Sequence, residues 1–310
     1  MRTAALLLLV TAALLLCAQP LLADQRADDL LKEARAAIGG DEVIQKIQSL
    51  AMKGQYRRVL GDREMSGDRE VSIMLPDKYL AEDSFSQGGL STAIIITRGL
   101  NGERAWNASS GGGMGGHGGM VIRMAPGGGS GQQASPEQLE AMYRRSNGLE
   151  MSRYLLATLL MSAPSMAVQY TYAGETDVED TKAEAIDVTG PENFIVRLYF
   201  DRATHLPLLL SYRGRKPRMV TMTRSAGDGK VEGTAKKALA EAEKKAADAA
   251  VQAKPEEVDF FIRMTDYKKV NGVLLPHKLT FLTETEVSEQ FDVAKYQLNP
   301  SFKDDKFQKN

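Results

Sequence analysis

Cysteine is almost missing from this chain: the single Cys17 lies in the apolar run that opens it. A disulfide framework is excluded, and a chain of 310 residues must be held by its core. Histidine is nearly as scarce. The three residues, His117, His205 and His277, stand far apart, with no H-E-x-x-H and no cysteine pair, so no zinc signature is present. No serine stands in G-x-S-x-G, and no glycine-rich stretch ends in G-K-[ST]. A net charge of -1 gives no basic excess for nucleic acid. The expectation is a protein that is not an enzyme, has no cofactor or metal, and has no nucleic-acid partner.

What is present begins with "MRTAALLLLVTAALLLCAQPLLADQ", in which one Arg2 precedes an apolar run closing at Ala23. This pattern predicts a signal peptide over residues 1–23, cleaved near Ala23, and a periplasmic mature chain, outer-membrane association being a further expectation. The run from Thr3 to Leu22 is also just long enough for a membrane anchor, but no basic cluster follows it and the next residues are acidic. Acylation of Cys17 needs a small residue before it, where the chain has Leu16.

From residue 24 to 310 a single domain is expected. Leu30, Leu31, Ala34, Ala37 and Ile38 recur at helical spacing up to Gly39-Gly40, and a second helix is predicted from an Asp41 cap, burying Val43, Ile44 and Ile47. From Ala51 the period becomes two. Met52, Gly54 and Tyr56, then Val71, Ile73 and Leu75, mark apolar faces of antiparallel strands, with turns expected at Gly61-Asp62 and Gly67-Asp68. Asn101-Gly102 and Asn271-Gly272 predict type I′ hairpins, and Pro276 marks a place needing no ladder donor, an edge or a bulge. His277 and His205 then read as strand residues near an edge.

Ser135, Pro136 and Gln138 predict a capped helix, broken at Asn147-Gly148 and resumed through an apolar piece, Tyr154 to Met161, that must lie in or cover a hydrophobic trough. Further strands follow, among them "RMVTMTRS" at 218–225. Two stretches stand apart. The Gly/Met-rich loop 111–131 holds Met114, His117, Met120 and Met124, soft ligands suited to Cu(I), although methionines docked on apolar surface explain them as well. The alanine, lysine and glutamate stretch 233–255 reads as an exposed helical insertion, since it has nothing large to bury.

This order of elements predicts an α+β fold: a strongly curved antiparallel sheet, an incomplete β-barrel, with helices packed on the concave face. Acidic residues on the strands, as in "VSEQFDVAKYQL", are expected on the wet face. The segments "ARAAIGGDEVIQKIQSLAMKGQY", "LPDKYLAED", "NGERAW", "YFDRATHLPLLLSYR", "DYKKVNGVLLPHKLTF" and "AKYQLNPSFKDDKF" resemble exported bacterial proteins of the outer-membrane lipoprotein-sorting group, related to the LolA/LolB lipoprotein carriers. The resemblance implies an apolar cavity under a helical lid and, as partners, lipid or lipoprotein acyl chains, with envelope proteins as further candidates. The residues expected to line such a cleft are Tyr79, Ile94, Ile96, Trp106, Tyr154, Leu155, Leu159, Phe194, Val196, Leu198 and Phe200. The alternative expectation is an envelope scaffold whose cleft is filled by its own side chains.

Overall fold

Alternation of apolar and polar residues builds strands that bury one face and wet the other. The computed structural model describes residues 19–60, 63–85, 93–110, 135–216 and 256–309. In it one antiparallel sheet holds β1 (Ser49–Leu60), β2 (Arg63–Met74), β3 (Lys78–Phe85), β4 (Ile94–Asn101), β5 (Arg104–Ser110), β6 (Gln169–Val178), β7 (Thr181–Gly190), β8 (Phe194–Asp201), β9 (Pro207–Arg215), β10 (Glu257–Val270), β11 (Val273–Thr283) and β12 (Glu286–Leu298). The spatial order is β5-β4-β3-β2-β1-β12-β11-β10-β9-β8-β7-β6. Each neighbour is also the neighbour in sequence except at the centre, where β1 pairs with β12, Leu50 opposite Leu298 and Arg58 opposite Glu289. Among the described residues β5 and β6 each have one neighbour, so the sheet is open.

Three α-helices accompany it among the described residues: α1 (Gln19–Ile38), α2 (Asp41–Ile44) and α3 (Pro136–Leu159). Helix α1 runs through the expected cleavage point at Ala23 and ends where predicted, at Gly39 and Gly40 with φ of 145° and 93°. Ala27, Leu30, Leu31, Ala34 and Ile38 form its buried stripe. Helix α2 is a single turn whose N-cap is Gly40, not Asp41; the Asp41 carboxylate instead accepts from Arg35 Nη1 at 3.3 Å. Ile44 and Ile47 are buried as expected, but Val43 is 37% exposed, because one turn of helix buries only one side.

The turns also sharpen the reading. Asn271 (φ 47°) and Gly272 (φ 90°) form the expected two-residue I′ loop between Val270 and Val273. At the other hairpin Asn101 still pairs with Arg104, so the loop is Gly102-Glu103, and only Gly102 has positive φ, 59°. Gly67 lies inside β2 instead of in a turn. A Cβ there would stand 1.9 Å from the Ser84 carbonyl oxygen, so close approach of β3 explains the glycine. Pro276 sits in an interior strand, opposite Tyr267 of β10, and the β11–β12 ladder begins only at Lys278. The expected turn at Gly61-Asp62, the strand at 218–225, the loop 111–131, the insertion 233–255 and residues 1–18 lie outside the described residues.

The two sheet faces carry separate cores. Tyr56, Val71, Ile73, Tyr79, Ala81, Leu100, Val196, Leu198, Leu210, Leu279 and Phe291 join α1 and α3 in one continuous cluster. On the opposite face of β3–β5, Leu80 and Trp106 pack with Phe307 and Phe302 of the C-terminal tail, and Lys306 reaches Glu70 and Glu82 at 2.9 and 3.2 Å. Trp106 lies over Gly99, where any Cβ would meet the indole at 2.2 Å.

Candidate functional site

The sheet wraps around α3. Tyr154 stacks near Tyr79 of β3 at 6.4 Å between centroids and meets Phe281 of β11 edge-on at 6.3 Å, while Arg153 lies 3.8 Å over the Tyr212 ring of β9. One helix therefore touches strands from both halves of the sheet. Its start follows the sequence: Ser135 Oγ accepts from the Gln138 N–H and the Gln138 side chain accepts from the Ser135 N–H, with Pro136 at the first helical position.

Asn147-Gly148 does not break this helix. The buried Asn147 amide donates to the Gly99 carbonyl (2.9 Å), the Trp106 carbonyl (3.3 Å) and Asn107 Oδ1 (3.1 Å), which fastens the helix to β4 and β5. Beyond it Met151, Tyr154, Leu155, Leu156, Ala157 and Leu159 are all buried. A left-handed Leu160 (φ 50°) ends the helix, and its carbonyl accepts from Arg35 Nε and Nη2 of α1 at 3.0 and 2.8 Å. The seam between this end and Ile47, Leu50 and Ile73 has no room for a water molecule. Helix α1 is held in turn by Arg26, bidentate to Glu184 of β7 at 2.6 and 2.7 Å.

In the middle of this apolar face lies a charged cluster. Arg69 (β2) and Asp83 (β3) face each other in register, Nε to Oδ1 2.5 Å and Nη2 to Oδ2 2.8 Å. Arg98 (β4) donates to Asp83 Oδ2 (3.0 Å) and, from Nε, to Glu150 of α3 (3.1 Å). Glu289 (β12) holds Arg58 (2.7 Å) and lies 3.4 Å from Arg69 Nη1, which also reaches the Tyr154 hydroxyl at 3.3 Å. The Arg69 guanidinium is 3.5 Å above the Tyr56 ring. Among the described residues, Arg98 Nη2 and the Tyr79 hydroxyl are buried with no hydrogen-bond partner.

Burial alone would push the Asp83 carboxyl up; the Arg69 and Arg98 guanidiniums overcome that and hold it well below the usual carboxylate range. Burial acts on Glu289 in the same sense, and Arg58 and Arg69 again bring it below its ordinary value. Burial raises the Tyr154 hydroxyl, against the opposing pull of Arg69. Asp83 and Glu289 are thus held as carboxylates, with the hydroxyls of Tyr56, Tyr79 and Tyr154 pushed up by burial around them.

Of the residues expected to line a cleft, Tyr79, Tyr154, Leu155, Leu159, Phe194, Val196, Leu198 and Phe200 are brought into the one core that contains α3. Ile94 and Ile96, opposite Phe85 and Asp83, face the same way and are half-buried. Trp106 is the exception: alternation sends Ala105 inward, so the indole faces the C-terminal tail on the far side.

The charged cluster escaped the sequence reading, which put acidic residues on the wet phase. Glu289 is in phase with Phe291 and Val293, and Asp83 with Tyr79 and Ala81. The available signal was charge at an apolar phase on β2, β3, β4 and β12 together. Neither His205 nor His277 is near an edge of the sheet. His277 lies in interior β11, its Nδ1 2.7 Å from the Val293 carbonyl and its ring 5.1 Å from Tyr296; His205 is in the β8–β9 turn, 3.7 Å from Glu33. Among the described residues no His, Cys, Asp and Glu group is arranged to hold a metal. Met114, His117, Met120 and Met124 lie outside them.

No protein-family model and no curated protein matches the chain. Among solved structures it is similar to a LolA superfamily protein from Nitrosomonas europaea (11% identity, 91% of this chain and 97% of that one, TM-score 0.42). It is also similar to a putative outer membrane lipoprotein-sorting protein domain from Vibrio parahaemolyticus (9%, 92% and 97%, TM-score 0.43) and to a DUF1329 family protein from Desulfovibrio piger (10%, 91% and 97%, TM-score 0.42).

Proposed function

We propose that this chain is a periplasmic binding protein for an acyl chain, a carrier of lipid or lipoprotein in the cell envelope, and that α3 fills the ligand space when no ligand is present. One observation carries the reading: a helix segment buried at every position but Arg153, Met151 to Leu159, lies inside a curved sheet that is open among the described residues. Withdrawal of that segment uncovers the rings it packs against, Tyr79, Tyr212 and Phe281. Burial of an acyl chain there gains about 0.8 kcal/mol per methylene, without a polar contact. The helix competes with the ligand, so apparent affinity is lowered by the fraction of molecules in which α3 is in place.

The test is mass spectrometry of lipid extracted from protein purified out of its native envelope, with titration of the stripped protein by a fluorescent long-chain fatty acid. Stoichiometric lipid and saturable uptake are expected. A lipid-free protein that takes up no probe, even when the Asn147 anchor is removed, overturns the proposal. A second reading, an envelope scaffold with a self-filled cleft, is favoured by the water-tight seam between α3 and β1–β2; it predicts that empty outcome. The signal peptide is tested by the intact mass of exported protein, expected to begin at Asp24.

A further inference from the structure

The charged cluster in the concave face divides unevenly between sheet and helix. The sheet contributes Arg58, Arg69 and Arg98 but only two carboxylates, Asp83 and Glu289; the third, Glu150, belongs to α3. Arg153, the other charged residue of this part of α3 that faces the sheet, stacks on Tyr212 and makes no ion pair with the cluster. If α3 withdraws, Glu150 leaves with it, and the sheet keeps one uncompensated guanidinium. That guanidinium is Arg98, because Arg69 retains both oxygens of Asp83 and Arg58 retains Glu289.

Arg98 then keeps only a hydrogen bond to Asp83 Oδ2, an oxygen it shares with Arg69, and an undercompensated buried cation is costly, so the apolar trough would favour an anion at this one place. Two further donors point the same way. Arg98 Nη2 and the Tyr79 hydroxyl, diagonal neighbours in the β3–β4 register, are buried and have no acceptor among the described residues. A carboxylate or phosphate offers more acceptor sites than Glu150 now supplies. Glu150 is 28% exposed, so the position it holds lies at the margin of the core and is within reach of a head group.

We infer that the ligand is an acidic amphiphile, its acyl chain in the space of α3 and its anionic group in the place of Glu150 on Arg98. The inference rests on the binding function proposed above, and it adds the charge and the position of the head group. Two sources share that chemistry, a free fatty acid and the phosphate of a phospholipid.

The test compares three fluorescent probes on the stripped protein: a long-chain fatty acid, its methyl ester and a phosphatidic acid. A charge-assisted pair at a partly buried site predicts that an acid binds about tenfold tighter than the ester. Preference for the fatty acid or for phosphatidic acid supports the inference and identifies the source. Arg98→Gln should abolish the preference, and Arg98→Lys should retain it. Asn147→Ala, which loosens α3 without touching Arg98, should tighten all three probes and leave their ratio unchanged. Equal binding of acid and ester by the unmodified protein overturns the head-group assignment and leaves the carrier reading intact. No binding of any probe, by the unmodified protein or by Asn147→Ala, overturns both.

Discussion

Arg69 and Asp83 meet directly across the β2–β3 ladder as a bidentate ion pair, with 2% and 0% of their side chains exposed. Removal of one partner leaves a buried charge, so Asp83→Asn is expected to cost about 3–5 kcal/mol in denaturant unfolding. Removal of both is a different matter. The double variant Arg69→Met, Asp83→Leu leaves Arg58 with Glu289 and Arg98 with Glu150, each still paired. Its stability should return to within about 1–2 kcal/mol of the unmodified chain, because hydrophobic replacements of buried pairs are often neutral. A double variant no better than Asp83→Asn alone would show that the pair's geometry itself is needed.

Acid should unfold the protein through the same cluster. Asp83 and Glu289 have folded values below their ordinary ones, so their contribution is complete above about 3.9 and 4.3, the unfolded values, and is lost as pH falls from there toward the folded values. Glu184, buried but held low by the Arg26 and Tyr172 hydrogen bonds, acts in the same direction. The melting temperature is therefore expected to hold down to pH of about 5 and to fall steeply through about 4. Circular dichroism melts across that range check it, and Asp83→Asn should flatten the fall.

Asn147→Ala removes three hydrogen bonds that a buried amide makes to β4 and β5. The expected loss is about 1–3 kcal/mol. Hydrogen exchange should localise the effect to α3, with amides at 148–158 exchanging faster and those of β1 and β12 unchanged. Uniform acceleration across the sheet would contradict a local anchor.

Trp106 is the single tryptophan, which makes the tail's packing directly observable. Phe307→Ala opens the small cluster of Leu80, Trp106 and Phe307, so the emission should shift to longer wavelength and stability should fall by about 3 kcal/mol. An unshifted spectrum would mean that the tail does not cover the indole in solution.

Much of the architecture was legible because it is local. The capping box at Ser135, the glycine stop at Gly39-Gly40 and the Asn271-Gly272 loop are decided by a few adjacent residues, and alternation alone orders the strands. The errors arose where partners distant in sequence decide the outcome. Asn147-Gly148 looks like a breaker until the β4 and β5 carbonyls that Asn147 serves are known, and Gly67 looks like a turn until the Ser84 carbonyl beside it is known. The charged cluster was the deepest omission. Arg69, Asp83, Arg98 and Glu289 each read as one charge on one strand, and only the register β12-β1-β2-β3-β4 gathers them. Trp106 failed for the opposite reason, an aromatic assigned to the cleft by its kind when its own phase sends it outward.

The pairing of β1 with β12 has a consequence in time. The two strands at the middle of the sheet are the first and the last of the twelve, so the central ladder cannot form until β12 has been synthesised. Before that moment β1 and β11 each present a bare strand edge, the state most open to capture by other chains. Contacts so distant in sequence also slow the final step. A chain built in this way reaches its finished form late, remains threadable until its last strand arrives, and has most need of a chaperone in that interval.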